Sequence, residues 1–448
     1  MNQQTAKFTR LGFVLSATGA AVGLGNIWKF PYITGVYGGG AFVMVYLVTI
    51  LLIGASLLIA EMVIGKRGQK DCVGSFETVA PEGKKGWKYA GFMLITGLVI
   101  MTFYSVVIGW IFYYIYLTFS GLPVTIAEAK STFDQLYGHA PFLQIFFHLV
   151  SVLFVAGVLL GGIKKGIEKT NLILIPFLLF ILVGLLYYAS GFDGFGKALA
   201  FMFSPDFSKL SSEAIIRAVG HSFFTLSIGI GAIMTYAAAL PKHANIYKAG
   251  LMVAFMDTLI ALIAGVVIFS FLFQFGGTPD KGPGLVFVSL PVIFAKLGTA
   301  GSVIALVFFI ALALAGLTSA ISLVEPSVMY LQDRLHWARK KAVLWSSLLY
   351  FVVGILVILS ISDGYKGWLT FGKKSLFDLL EFSVDSFLMP LGGILIAIFV
   401  GYVMKREIVE GELLGHMGKT VFRIWYFSIR YIAPLAVLFL AYNALKIS

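Results

Sequence analysis

Eleven long apolar runs recur along the 448-residue chain, and they constrain its fold more than any other feature. A helix needs about 20 apolar residues to cross the hydrocarbon core of a bilayer. These runs reach that length and lack the alternation of polar and apolar residues that marks membrane barrel strands. Only 12% of the residues are charged, about half the fraction found in soluble domains. The chain is therefore predicted to be an all-α integral membrane protein with eleven transmembrane helices.

The predicted helices are numbered as spans 1 to 11 in chain order, within a single domain of residues 1–448. They cover residues 11–36, 40–65, 87–120, 142–162, 167–190, 213–239, 247–275, 299–331, 341–361, 376–403 and 422–446. The first run lacks a small-residue cleavage site after a short apolar core. It is therefore interpreted as a span and not as a signal peptide.

Lysine and arginine residues are concentrated before span 1 and after spans 2, 4, 6, 8 and 10, and they give the chain a net charge of +12. Basic loops stay on the cytoplasmic side of a membrane. The N-terminus is therefore predicted to be cytoplasmic and, with an odd number of spans, the C-terminus extracytoplasmic. The charge indicates topology and not a nucleic-acid partner. The single cysteine, Cys72, excludes an internal disulfide and a cysteine-based metal cluster.

Two spans contain glycine-rich stretches at the predicted middle of the membrane. Span 1 has three glycines between Ser16 and Asn26, and span 6 has two between Phe224 and Gly231. Glycine weakens a helix interior by about 1 kcal/mol relative to alanine. Glycines also let helices pack closely, but paired breaks five spans apart are typical of transporter binding sites. They predict two inverted halves, residues 1–190 and 213–403, with residues 422–446 as an extra helix.

A broken helix exposes amide N–H groups from one half and carbonyl groups from the other. The first attract an anion and the second a cation, so an amino-acid zwitterion and a sodium ion satisfy both. Sodium is a hard cation that prefers oxygen ligands. Asn26, Thr225, Thr318 and Ser319 offer such oxygens in or beside the Gly/Ala-rich helices. The alternative for each hydroxyl is a hydrogen bond back to its own helix.

Four segments resemble the neurotransmitter:sodium symporter family, and the resemblance covers essentially the whole chain in order. They are Arg10–Pro31 followed by Gly38–Phe42, then Phe223–Ser227, and Ala315–Ser319. Eleven spans are similar to the bacterial amino-acid transporters of this family. The resemblance implies a LeuT-type fold, with a five-plus-five inverted repeat and broken helices 1 and 6.

The resemblance also implies one substrate site and two sodium sites. The substrate residues would be Ala21, Gly25, Ile100, Tyr104, Phe224, Ser227, Ile230, Ser319 and Leu323. The first sodium ion would contact Ala21, Asn26, Thr225 and Asp257. The second would contact carbonyls of Gly19, Val22 and Ala315 and hydroxyls of Thr318 and Ser319.

Gating residues follow from the same resemblance: Lys29, Glu381, Asp333, Gly166 and Pro176. Lys29 and Glu381 would form the outer gate pair. Asp333 matches the inner-gate acid, whose usual arginine partner near the N-terminus is missing, so Lys7 is the candidate partner. The glycine and proline, ten residues apart in span 5, resemble a motif that unwinds to open a water path. An ordinary proline kink is the alternative.

Ionisable residues inside a membrane are costly and usually functional. Asp257 stands where chloride-dependent family members carry asparagine, so chloride independence and proton antiport are expected. Glu61 is expected to anchor the unwound part of span 6. His221 replaces the glutamine common at its position, and a hydrogen-bonded core residue or a proton relay are both open interpretations.

The predicted substrate positions are apolar, which favours a neutral hydrophobic or aromatic amino acid. The predicted function is sodium-coupled symport by alternating access in a bacterial cytoplasmic membrane, as a monomer or weak homodimer. An amino-acid sensor of the same fold and an ion channel are the alternatives. A membrane enzyme is disfavoured, because no His/Asp/Glu metal spacing and no G-x-S-x-G motif occur in the sequence.

Overall fold

The computed structural model describes residues 7–277, 284–372 and 374–447, with side chains excluded for Trp368 and residues 444–447. Within these ranges nine helices are long and apolar enough to cross a membrane. They are Gly40–Gly68, Lys85–Ser120, Pro141–Leu160, Ile163–Ala189, Ile246–Gln274, Thr299–Leu335, Arg339–Ile361, Leu376–Val403 and Arg406–Asn443. These nine correspond to predicted spans 2 to 5 and 7 to 11.

Span 1 is a bent pair of helices and would be a tenth crossing within the described ranges. Its halves, Arg10–Ala21 and Gly25–Val36, meet at an angle of 51°. Span 6 consists of Ser212–Thr225 and Ala232–Ala238, which are each too short to cross a bilayer. The count of eleven crossings, the division into halves and the inverted repeat therefore stay predictions.

The remaining described elements are short. Helices cover Cys72–Val79, Ile126–Asp134, Gln135–His139, Asp193–Phe203, Phe207–Lys209, Leu285–Ala295 and Lys366–Trp368, and the strands Thr370–Phe371 and Lys374–Ser375 pair antiparallel. The last long helix bends at Gly418, whose φ is 74° and ψ 164°. Predicted span 11 begins just after this bend, and Ala433–Ile447 forms its final part.

The break in span 1 lies at Val22 and Gly23, as the glycine spacing predicted. Val22 has φ −72° and ψ 114°, which is extended backbone. Its N–H donates to the Thr18 carbonyl at 2.7 Å and ends the first half of the span. The second half then begins with a wide π-helical turn, Gly25–Lys29. Such turns occur frequently at functional sites.

The break in span 6 covers six residues, Leu226 to Gly231. Ser227, Gly229 and Gly231 have positive φ values of 53°, 79° and 84°, a conformation that glycine adopts without steric cost. The Glu61 carboxylate of span 2 accepts hydrogen bonds from the amides of Gly229 at 3.3 Å and Met234 at 3.2 Å. Glu61 thus anchors the unwound backbone, as expected from the sequence.

Gly229 is predicted to tolerate no side chain. A methyl group there would lie 2.6 Å from the Met389 carbonyl oxygen, and its positive φ would add strain of about 1–3 kcal/mol. Gly229→Ala should therefore lower the thermal unfolding midpoint of the purified protein in detergent. The control Gly184→Ala has open space around the new methyl group, and it should leave the midpoint unchanged or raise it. Equal midpoints for both variants would contradict this account of the break.

Candidate functional site

The two broken segments meet in the interior of the protein. The Ser227 hydroxyl of span 6 donates a hydrogen bond to the Ala20 carbonyl of span 1 at 2.8 Å. The Ser319 hydroxyl of span 8 reaches the same carbonyl at 3.4 Å. The carbonyl end of the first half of span 1 is therefore surrounded by hydroxyl groups from two other spans.

A small cavity lies between the broken segments, and all nine predicted substrate residues line it. They are Ala21, Gly25, Ile100, Tyr104, Phe224, Ser227, Ile230, Ser319 and Leu323. Gly23, Thr225 and Met389 complete the lining. Sequence reasoning missed Met389, since one methionine in an apolar span carries no signal. The structure therefore brings the predicted set together, and its role in substrate binding stays a prediction.

The unwound part of span 1 receives a polar side chain from span 3. The Tyr104 hydroxyl accepts a hydrogen bond from the Leu24 amide at 3.1 Å. A methyl group on Gly23 would lie only 2.8 Å from that hydroxyl oxygen and 3.1 Å from the Ser319 hydroxyl oxygen. The absence of a side chain at Gly23 thus lets two hydroxyl groups approach the broken backbone.

Asn26, Thr225 and Asp257 form a fully buried polar cluster beside this cavity. The Asn26 amide donates to the Asp257 carboxylate at 2.7 Å and to the Thr225 hydroxyl oxygen at 3.0 Å. The Thr225 hydroxyl is also 3.0 Å from the same carboxylate. Within the described chain no lysine, arginine or histidine pairs with Asp257. A buried carboxylate without a basic partner favours a bound cation or a proton.

The second predicted ion set is brought together in part. A methyl group on Gly19 would lie 3.2 Å from the Thr318 Cβ, so spans 1 and 8 are in close contact here. The Thr318 hydroxyl donates to the carbonyls of Leu314 and Ala315 in its own helix, at 3.0 and 3.1 Å. This hydrogen bonding within its own helix is the alternative to ion binding that was considered for each hydroxyl group. Val22 lies in the non-helical break of span 1. The Ser319 hydroxyl lies within hydrogen-bonding distance of the Ala20 carbonyl.

A wider vestibule lies above the cavity, on the side where span 1 ends. Phe224 and Met389 line both spaces and therefore separate them. The Lys29 ammonium lies 4.2 Å from the centre of the Phe224 ring, which is within range of a cation–π interaction. The cavity is thus covered by two apolar side chains and one basic residue.

Lys29 pairs with Asp385 at 2.6 Å, and not with Glu381 as the resemblance implied. Asp385 follows Glu381 by one turn of span 10 and belongs to a wide π-helical turn, Val384–Leu388. Glu381 and Asp385 both line the vestibule. The ion pair of Lys29 therefore lies one helical turn beyond the partner that the resemblance implied, and its role as a gate stays a prediction.

His221 also lines the vestibule and is almost fully buried. Its ring stacks on Phe30 at 5.9 Å between centroids and lies 5.4 Å from the Tyr46 ring. Neither ring nitrogen has a hydrogen-bond partner in the described part of the chain. His221 is therefore packed between aromatic rings and is not the hydrogen-bonded core residue that one interpretation expected.

Asp333 does not pair with Lys7 among the described residues. Its carboxylate accepts a hydrogen bond from the Asp71 amide at 3.0 Å. The neighbouring Arg334 binds Glu77 at 2.6 Å, and this hydrogen bond lowers the pKa of Glu77. Lys7 is exposed, so the start of span 1 is held by other contacts.

Those contacts are made by Phe8 and Thr9, the two residues that follow Lys7 in the chain. The Phe8 amide donates to the Ala239 carbonyl at 3.1 Å. The Thr9 hydroxyl donates to the Glu168 carboxylate of span 5 at 2.5 Å. Nothing in the sequence distinguished Glu168, because acidic residues near helix starts are common.

Gly166 and Pro176 both lie in helical backbone. Gly166 belongs to the wide turn Ile163–Glu168, and Pro176 is inside Lys169–Ala189. A methyl group on Gly166 would lie 2.0 Å from the Val158 carbonyl oxygen, so span 5 packs tightly on the end of span 4. Unwinding of this segment stays a prediction.

Comparison with known proteins identifies the chain. The sequence profile of the Sodium:neurotransmitter symporter family matches residues 5–139 and 141–447. The chain belongs to the sodium:neurotransmitter symporter family. This membership confirms the resemblance found in the sequence, and it makes the protein a member of a transport family and not of an enzyme family.

Individual members of the symporter family match over nearly their whole length. The sodium-dependent transporter YhdH of Bacillus subtilis (strain 168) is 34% identical, over 98% of this chain and 97% of that protein. A sodium-dependent transporter of Haemophilus influenzae is 34% identical, over 96% of both. The crystal structure of MhsT in complex with L-phenylalanine matches with a TM-score of 0.89 and 38% identity, covering 98% of this chain and 100% of MhsT. This match confirms the all-helical, LeuT-type fold.

Whether the Lys29–Asp385 ion pair acts as a gate can be tested by cysteine labelling. Asp385→Asn removes the ion pair between spans 1 and 10. It should speed labelling of Gly220→Cys in the vestibule about two- to fivefold, because partly exposed ion pairs contribute up to about 1 kcal/mol. Glu381→Gln leaves the pair intact and should change the rate less. The native Cys72 is buried and should contribute little background. A larger effect from Glu381→Gln would restore the original assignment.

Proposed function

We propose that this protein is a sodium-coupled symporter of neutral hydrophobic or aromatic amino acids that works by alternating access. The observation that carries the proposal is the shared pocket between the breaks of spans 1 and 6, next to the buried Asp257 cluster. Broken helices whose ends converge on one cavity are a recurring form of transporter binding site.

The pocket suits a zwitterion with an apolar side chain. The second half of span 1 begins at Gly25, which lines the cavity, and a substrate carboxylate is favoured at the N-terminal end of a helix. The Ala21, Phe224 and Ser227 carbonyls are the expected partners of the ammonium group. Ile100, Ile230, Leu323 and Met389 leave an apolar volume for the side chain.

Two sodium ions are proposed as co-transported cargo. Asn26, Thr225 and Asp257, with the Ala21 carbonyl, would hold the first, because carboxylate, amide and hydroxyl oxygens suit a hard cation. Gly19, Val22, Ala315, Thr318 and Ser319 would hold the second. The fixed negative charge of Asp257 would replace a chloride ion, and its protonation during the return step would give proton antiport.

Alternating access would use the barriers on either side of the pocket. On the side where span 1 ends, Phe224 and Met389 separate the pocket from the vestibule, below the Lys29–Asp385 pair. On the other side, the backbone at Phe8 is bonded to Ala239. We propose that the N-terminus is cytoplasmic, the C-terminus extracytoplasmic, and that span 5 unwinds to open the inner path.

The relatives support this proposal. MhsT was crystallised with L-phenylalanine, and the Bacillus and Haemophilus relatives are named as sodium-dependent transporters. A bacterial cytoplasmic membrane is the corresponding location, with the protein acting as a monomer or weak homodimer.

Uptake into proteoliposomes tests the proposed function. With an inward sodium gradient, labelled leucine or tryptophan should accumulate in a saturable manner above its external concentration. Replacing sodium by potassium should abolish this accumulation, since the ion gradient supplies the driving force. Binding without accumulation would indicate a sensor, and flux without saturation or uphill movement would indicate a channel. Either result would contradict the proposal.

The first ion site can be tested through Asn26. Asn26→Ala removes the amide that contacts both Thr225 and Asp257. It should raise the sodium concentration for half-maximal leucine binding at least about tenfold, which corresponds to about 1.4 kcal/mol. The measurement is a sodium titration of labelled leucine binding to the purified protein. Unchanged sodium dependence would show that the first ion site is misplaced.

The role of Asp257 predicts independence from chloride. Transport should continue when gluconate replaces chloride, because the carboxylate supplies the negative charge. Asp257→Asn should slow transport and make the remaining rate respond to chloride. A pH-sensitive dye inside the vesicles should report proton exit during uptake by the wild-type protein. Loss of wild-type transport in gluconate would overturn this part of the proposal.

A further inference from the structure

Asn171 of span 5 has an amide oxygen without a hydrogen-bond partner in the described part of the chain. The residue is fully buried. Its Nδ2 group donates to the Ile167 carbonyl of its own helix at 2.9 Å, and this bond fixes the orientation of the amide. The oxygen consequently points away from span 5. A buried polar atom with no partner is rare, because its transfer from water is costly.

The free oxygen points at the region where spans 1 and 8 approach each other. A methyl group on Gly19 would lie 2.3 Å from Asn171 Oδ1 and 3.2 Å from the Thr318 Cβ. Asn171 Oδ1 is therefore next to two residues of the second predicted ion set. The missing side chain at Gly19 leaves room for the approach.

We propose that Asn171 supplies a further oxygen ligand to the second cation site, together with Gly19 and Thr318. The inference deepens the proposed function and rests on it. A neutral amide oxygen is a ligand that hard cations accept, and it adds no charge that would favour a divalent ion. A bound sodium ion would give this oxygen the partner that it lacks in the protein alone.

With Asn171 as a ligand, the second cation would also contact span 5. Glu168, one turn before Asn171, accepts hydrogen bonds from the amide and hydroxyl of Thr9 at the start of span 1. Asn171 faces Gly19, farther along span 1. Span 5 therefore reaches the first half of span 1 at two places, through Glu168 and through Asn171. At the second place, the bound ion would connect the two spans. Departure of the ion would release span 5 beside its wide turn at Gly166.

Direct sodium binding by the purified full-length protein tests the inference. Radioactive sodium is titrated at pH 8, and leucine binding is measured at saturating sodium. Asn171→Ala should weaken sodium binding about tenfold, equivalent to about 1.4 kcal/mol, and leucine binding should recover as the sodium concentration is raised to saturation. Asn171→Asp keeps an oxygen and adds a charge, so it should tighten sodium binding severalfold.

A matched control is available in Asn443. Its Nδ2 group makes the same hydrogen bond to the carbonyl four residues earlier, Phe439, at 2.7 Å, but it lies on an exposed face of the last helix. Asn443→Ala should leave sodium binding unchanged. A second control is thermal unfolding in potassium and in sodium. Asn171→Ala should lose part of the sodium-induced stabilisation, whereas a purely structural residue would lower both midpoints equally.

The outcomes separate the two proposals. Sodium binding by the wild-type protein that is unaltered in Asn171→Ala and Asn171→Asp would overturn the role of Asn171 and leave the symporter proposal standing. If Asn171→Ala does not fold, unchanged sodium affinity of Asn171→Asp is sufficient to overturn it. No sodium binding by the wild-type protein would overturn both.

Discussion

Backbone groups inside a bilayer need hydrogen-bond partners, because no water is present to replace them. Two helices of this protein are nevertheless broken in its interior, and side chains from other spans bond to the freed amides. Glu61 accepts hydrogen bonds from Gly229 and Met234, while Tyr104 accepts one from Leu24. The position of the pocket depends on these bonds, since they hold both unwound segments in place.

The same arrangement leaves oxygen atoms and negative charge in excess around the pocket. Asp257 is buried with only amide and hydroxyl partners among the described residues, and the Ala20 carbonyl is approached by hydroxyl groups. In the proposed mechanism a cation would restore the balance, and a substrate carboxylate would add a further ligand. Sodium and amino acid would then be coupled, because each would provide a charge that the other needs.

Much of the site could be predicted because its determinants are local in sequence. Glycine spacing revealed both breaks, and the long motif of span 1 identified the family. Contacts that depend on the exact helical phase could not be predicted. Asp385, which lies in a wide turn of span 10, pairs with Lys29 in place of Glu381. Arg339 pairs with the buried Glu325 across a helix end, and nothing in the sequence distinguished that arginine from its basic neighbours.

An experimental structure determined with sodium and L-phenylalanine is the most direct test of the central claim. The account predicts amino-acid density enclosed by the unwound segments near Gly23 and Ser227, with a cation between its carboxylate and Asp257. Continuous helices at these two positions, or an amino acid bound away from both, would contradict it.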